Sequence, residues 1–173
     1  MKTKDLSFTE YNAYYSQYLN MLSGNLDLIG GYNQGLSQII EFFKTIPEGK
    51  LTYSYAAGKW TIKEVFQHII DTERVFMYRC FRIARRDITA LAGFEQDDYI
   101  APSKANKKSL EQLLEEYRTV RESSIVFLKS LSEVDLEYLG NANGTSLSAR
   151  AAAFILLGHE KHHVEIIQNR YLA

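Results

Sequence analysis

Only two prolines, Pro47 and Pro102, interrupt the 173 residues, and each falls in a gap between long stretches of helical periodicity. A proline inside a helix removes a backbone donor and clashes with the preceding turn, so punctuation this sparse favours long helices over most other architectures. From Thr9 to Leu22 the residues Tyr11, Tyr14, Tyr15, Tyr18, Leu19 and Leu22 keep a 3.6-residue rhythm that ends at Ser23-Gly24. A second pattern runs from Asn25 through Leu36, Ile39, Ile40 and Phe43 to Pro47, weakened in its middle by Gly30, Gly31 and Gly35. Residues 47–60 read as loop. Thr61 then opens a third helix with a capping box, because Glu64 three residues on can reach back to the Thr61 amide; this helix is expected to reach Arg86.

The connection from Asp87 to Lys108 holds Gly93, Pro102 and the acidic residues Glu95, Asp97 and Asp98, and connections of that length commonly line a site. Ser109 with Gln112 makes a second capping box, and the helix it opens turns Leu110, Leu113, Leu114, Tyr117, Val120, Val126, Phe127 and Leu131 inward. Ser132 begins a short turn, Asn141, Asn143 and Gly144 form an irregular connection, and a last helix covers Leu147 to Tyr171. No strand is expected. The predicted fold is all-α, a four-helix bundle with additional short helices, in one domain over residues 1–173.

Charge excludes one class of partner. With 20 Lys+Arg against 21 Asp+Glu the net charge is −1, which gives no footprint for a phosphate backbone, so nucleic acid is not an expected partner. Cys80 is the only cysteine, which rules out an intrachain disulfide and points to a reducing compartment. The start, MKTKDLSFTEY, lacks the apolar run of a signal peptide. Nor does any apolar run approach the roughly 18 residues that span a bilayer. A cytoplasmic protein without membrane association is expected.

Chemistry concentrates in the histidines. There are four, and His159, His162 and His163 lie within five residues, with His68 far upstream in the third helix. Residues four apart on a helix differ by about 40° around the axis, so His159 and His163 project from one face as a two-imidazole clamp. Ala152, Ile155, Leu156, Ile166 and Ile167 lie within about 80° of His159, which directs the clamp inward. His162 falls about 60° to the other side, at the edge of the stripe, and Glu160 and Lys161 fall on the far side toward solvent. A third imidazole, from His68, would complete the three-ligand set typical of catalytic metal ions. His68 sits beside Thr72, Val75 and Arg79, about 90° from the centre of its own apolar stripe.

The alternatives are single core histidines, each hydrogen-bonded by neighbours, or a zincin-type site. The span HEKHH satisfies H-E-x-x-H with Glu160 as base, but the chain lacks the sheet and further ligand of such enzymes. Glu73, near the inward face of its helix, is expected to pair with Arg79 or Arg82 or to orient an imidazole. Cys80 reads as an inert core thiol. No nucleophile elbow and no phosphate-cradling glycine loop is present, and no catalytic residue is assigned.

Three segments carry a family resemblance: GKWTIKEVFQHIIDTERVF (58–76), LAGFEQDDY (91–99) and LLGHEKHHVEIIQNRYL (156–172). With Trp60-Thr61 opening a helix, His68 shortly after, and H-x-x-x-H formed by His159 and His163, the chain resembles the DinB/YfiT-like metalloenzyme family over nearly its whole length. The resemblance implies a bundle of four long helices, usually dimeric, that holds a divalent ion, nickel or zinc, on His68, His159 and His163. Val164-Glu165 stands where Gly-Gln is commoner, which leaves the ligands untouched.

Characterised relatives are S-transferases and isomerases dependent on bacillithiol, mycothiol or glutathione. The expected function is therefore that of a metal-dependent, thiol-dependent S-transferase acting on a small molecule. The alternatives are a noncatalytic stress-response or interaction module with a structural metal and a metal-dependent hydrolase. The long Asp87–Lys108 connection is the candidate cover for the open coordination position, where Arg79, about 20° from the His68 direction, is placed to meet an anion. Four tyrosines between Tyr11 and Tyr18 suggest an interface, and with the family habit a homodimer is expected.

Overall fold

The computed structural model describes residues 1–173. Seven α-helices and one hairpin follow in the order α1 (Ser16–Leu19), α2 (Leu28–Lys44), α3 (Ile62–Ala84), α4 (Asp97–Ser103), α5 (Leu110–Lys129), α6 (Glu133–Glu137), β1 (Leu139–Ala142), β2 (Thr145–Ser148) and α7 (Ala149–Ile166). The four long helices form a bundle in which α3 packs on α5 and α7, and α2 closes the ring against both of those. Two of their starts, those of α3 and α5, are capped as the sequence predicts. Thr61 Oγ1 accepts from Glu64 N at 3.2 Å while Thr61 N donates to Glu64 at 2.8 Å, and Ser109 and Gln112 repeat the pattern.

Three local expectations are corrected. Thr9–Leu22 is not one helix: Asn12 Oδ1 accepts from Tyr14 N at 2.9 Å, and the chain is extended at Tyr11, so 3₁₀ turns precede the short α1. A side chain that satisfies a nearby amide competes with the helical ladder, and here it wins. The 87–108 connection is partly helical, since α4 begins with Asp97 and Asp98 at its positive end. The stretch read as irregular is a hairpin. Asn143 and Gly144 both have positive φ, 53° and 75°, as a two-residue primed turn requires, and they pair β1 with β2 in the register Ala142↔Thr145. Leu91 adds a parallel bridge to Ala142, which ties the connection to the hairpin.

The core is two apolar clusters separated by a polar belt. Along α7 and the turn that continues it, Ala149 and residues 151–157 belong to one cluster and Ile167 and Tyr171 to the other, with His159, Glu160 and His163 between them. On α3, Phe66, Ile69 and Ile70 lie in one cluster, and Phe76, Met77 and Cys80 in the other; the site residues His68, Thr72 and Glu73 occupy the transition. Arg121 falls likewise between Tyr117 and Ile125 on α5, and Gly35 between Tyr32 and Ile39 on α2. Each long helix thus contributes at the same level, and small or charged residues there are a site rather than packing faults. No helix is long and apolar enough to cross a membrane.

Candidate metal centre

The three histidines that the sequence singled out converge. His68 Nε2 and His163 Nε2 each lie 3.0 Å from His159 Nε2, and the ligand atoms of all three lie within 4.8 Å of one another. Their Nε2 atoms have only one another as partners. Metal–nitrogen bonds of about 2.0–2.1 Å put two ligands about 3.3 Å apart at a tetrahedral angle and about 2.9 Å apart at a right angle, so both 3.0 Å pairs fit a shared ion. Charge fits as well. Burial drives the His68 imidazole down to about 4 and His159 and His163 well below their ordinary range, where mutual repulsion adds to the effect. All three are then neutral, with lone pairs free to coordinate at neutral pH.

Neighbouring side chains fix the rings. Thr72 Oγ1 lies 3.4 Å from His68 Nδ1, leaving Nε2 for the centre, and the Trp60 ring packs 4.8 Å from His68. Tyr18 sets its ring edge-on to His159 and His162, both at 5.3 Å. Its close approach depends on Gly158, where a Cβ would stand 2.2 Å from the Tyr18 carbonyl oxygen. His162 is half-buried and stays outside the cluster, as its phase on the helix predicts.

The helical wheel fails at Glu160. It is 5% exposed, not in solvent, because α7 is a central helix enclosed on nearly all sides from Ala149 to Glu160. Glu160 Oε2 accepts from Arg121 Nη2 and from the Tyr117 hydroxyl, both at 2.6 Å. Arg121 also donates to Glu73 through Nε at 2.9 Å and Nη2 at 2.8 Å, so Glu73 pairs with Arg121 and not with Arg79 or Arg82. The Tyr32 and Tyr117 rings face the guanidinium carbon at 4.8 and 5.1 Å. Burial pushes the Glu160 carboxyl up, an effect that Arg121 and Tyr117 offset only in part. A carboxylate so committed cannot be the base of a zincin-type site. Arg121 escaped the sequence reading, although a charge four residues after Tyr117 and four before Ile125 interrupts the apolar stripe of α5 and marks its place. Cys80 is fully buried with its thiol pushed up to about 12, an inert core group as expected.

Two cavities reach the histidines. One of about 410 Å³ is lined by His159, Thr72, Tyr18, Phe76, Arg79 and Phe94, among others; the other, about 260 Å³, is lined by His163, Trp60 and Asp97. Phe94 and Asp97 come from the 87–108 connection, which therefore borders both approaches as the sequence predicts. Tyr14, Tyr15 and Tyr18 line the first cavity, so the tyrosine cluster furnishes a wall of the site. A depression of about 510 Å³ between α2 and α7 contains none of the three histidines, and its one buried charged group, Glu160, is already paired.

Comparison with known proteins agrees with this picture. The family model of the DinB superfamily matches residues 32–167. The fold is similar to that of YfiT from Bacillus subtilis, described as a probable metal-dependent hydrolase with an unusual four-helix bundle topology; the TM-score is 0.74 at 12% identity, covering 92% of this chain and 90% of that one. At that identity the likeness is one of fold. No curated protein sequence matches.

Proposed function

Because the chain belongs to the DinB superfamily and brings three neutral imidazoles to one point, we propose that it is a divalent-metal-dependent enzyme acting on a small molecule. His68, His159 and His163 would hold the ion, nickel or zinc, and the observation that carries the reading is that the Nε2 atoms of His68 and His163 each lie 3.0 Å from that of His159 with no other partner. Held there, the ion would supply Lewis acidity, lowering the pKa of a coordinated thiol or water so that a nucleophile exists at neutral pH. The cluster stops at three protein ligands, which supports catalysis over a closed structural site.

Within that class we assign thiol-dependent S-transfer. Water attack gains from a buried carboxylate base, and the His159 cavity holds none: its one carboxylate, Glu95, is exposed and accepts from Asp97 N at 3.4 Å, while Glu160 lies outside that cavity, bound to Arg121. The protein's own contributions are to exclude water with Tyr18, Phe76 and Trp60, to hold the His68 tautomer through Thr72, and to leave an opening beside His159. Hydrolysis is the second reading, favoured by Asp97 beside His163 in the other cavity.

Cobalt-substituted protein distinguishes them. Millimolar bacillithiol, glutathione or cysteine is expected to change the visible spectrum of the wild type and to leave the His163→Ala variant unaffected. Unchanged wild-type spectra with all three thiols overturn S-transfer in favour of hydrolysis, for which Asp97→Asn is the variant to assay.

A further inference from the structure

Two arginines are buried at the level of the site or beside it, and their surroundings differ. Arg121 is 1% exposed and balanced by two carboxylates. Arg79 is 3% exposed and pairs with no carboxylate. Its sole hydrogen bond runs from Nη2 to the Ala92 carbonyl at 3.0 Å, and its guanidinium lies over Phe76 at 5.0 Å and Phe94 at 5.6 Å. A guanidinium carries five N–H donors. No buried side-chain nitrogen or oxygen is sealed away without a partner, so the remaining donors of Arg79 reach accessible space; Arg79 lines the cavity it shares with His159 and also a neighbouring one bordered by Tyr78, Arg82 and Leu91. Burying a cation without a counter-charge is costly, and a ligand anion is what relieves it.

Position gives the ligand its length. Arg79 is eleven residues beyond His68, about 16 Å along α3 and about 20° around it, so the two share one stripe with Thr72 and Phe76 between them. Helical side chains lean toward the N-terminus, which carries the guanidinium back toward the histidines and shortens the gap. The wall between is aromatic, with Tyr15 edge-on to Phe76 at 5.7 Å. Arg79 therefore stands toward the other end of the cavity from His68, some three helical turns from the open coordination position where the sequence placed it. A planar fork against aromatic faces matches a carboxylate, which accepts two parallel N–H bonds.

We propose that Arg79 is the anchor of a carboxylate subsite: the cavity takes an elongated small molecule with a carboxylate at one end, an apolar body along Phe76 and Phe94, and its reacting end at the histidines. This rests on the metal-enzyme reading for what happens at the reacting end, but the anchor itself needs no metal.

The test therefore uses metal-free wild-type protein, with 4-phenylbutyrate as probe and its uncharged amide as control, by calorimetry and ligand-observed NMR. Binding of the carboxylate is expected, with the amide weaker by at least about tenfold, the size of a charge-assisted contact. Arg79→Gln is expected to show the same loss and Arg79→Lys a smaller one, with circular dichroism checking the fold of each. If the amide binds the wild type as well as the acid does, or if phenylbutyrate does not bind up to about 10 mM, the subsite is overturned, without need of any variant. Full carboxylate binding by a folded Arg79→Gln protein overturns it equally. Metal content measured in parallel separates the two readings: a chain that binds the carboxylate but no metal refutes the metal enzyme alone.

Discussion

Replacing Arg121 by Met probes the polar belt most sharply. The substitution keeps an unbranched apolar stem between the Tyr32 and Tyr117 rings but removes the donors that reach Glu73 at 2.8–3.0 Å and Glu160 at 2.6 Å. Removing one member of a buried ion pair costs about 3–5 kcal/mol, because the partner charge stays behind. Here two carboxylates are stranded, at 1% and 6% side-chain exposure, so the upper end, about 5 kcal/mol, is expected. For a domain of this size each kcal/mol lowers Tm by about 2–4 °C, giving a fall of about 10–20 °C.

The assay is urea and thermal unfolding in the presence of a chelator, so that ligand binding does not add to the apparent stability. The triple variant Glu73→Gln, Arg121→Met, Glu160→Gln removes all three charges and is expected to recover most of the loss, since a whole buried ion cluster is replaced at little net cost. A single variant within about 1 kcal/mol of wild type, or a triple variant no better than the single, would refute the reasoning.

The remaining expectations concern the ligand set and the N-terminal strap. His162→Ala should keep its metal, because His162 stands outside the cluster, whereas His68→Ala, His159→Ala and His163→Ala should each lose more than the roughly 10–100-fold in affinity that removal of an outer hydrogen-bond partner costs; metal analysis of the four variants checks this, and equal loss at His162 contradicts the geometry. Glu10 accepts from Arg150 at 2.7 and 2.8 Å and from Ser148 at 2.7 Å, which pins the Phe8–Glu10 turn to the start of α7. Burial alone would raise its carboxyl, but these hydrogen bonds and that from Ser7 hold it below the ordinary range. A depressed folded-state pKa gives stability that is present above the unfolded value and lost as pH falls through the folded one. Glu10→Gln should therefore lower Tm at neutral pH and reduce its fall in acid, and a wild-type acid limb unchanged by the substitution would argue against the strap.

How far the sequence reached depended on whether a signal was local. Thr61-Glu64 and Ser109-Gln112 declare their helix starts within four residues, and the structure has both. His159 and His163 share a face by arithmetic alone, but their meeting with His68 across 91 residues depends on how α3 and α7 pack, which periodicity does not specify. The failure at Glu160 has the same root, since a wheel assumes one buried face and α7 has several. Asn143-Gly144 is a local hairpin signal, but with strands of only four residues on either side it carries little periodicity beside the long helices. The Tyr11–Tyr18 stretch misled because its spacing is helical while Asn12 diverts the amides. Arg79 stands out in the sequence as a candidate, but only the fold shows that it lines one cavity with His159 and has no carboxylate partner.

The central claim is that three histidines hold one ion. The most direct measurement is elemental analysis of untagged protein purified from metal-replete cells, beside the His68→Ala, His159→Ala, His163→Ala triple variant. About one divalent ion per chain is expected in the wild type and close to none in the triple variant, the occupancy of a three-ligand site. A wild-type ratio near zero, or a triple variant that keeps its metal, would contradict it.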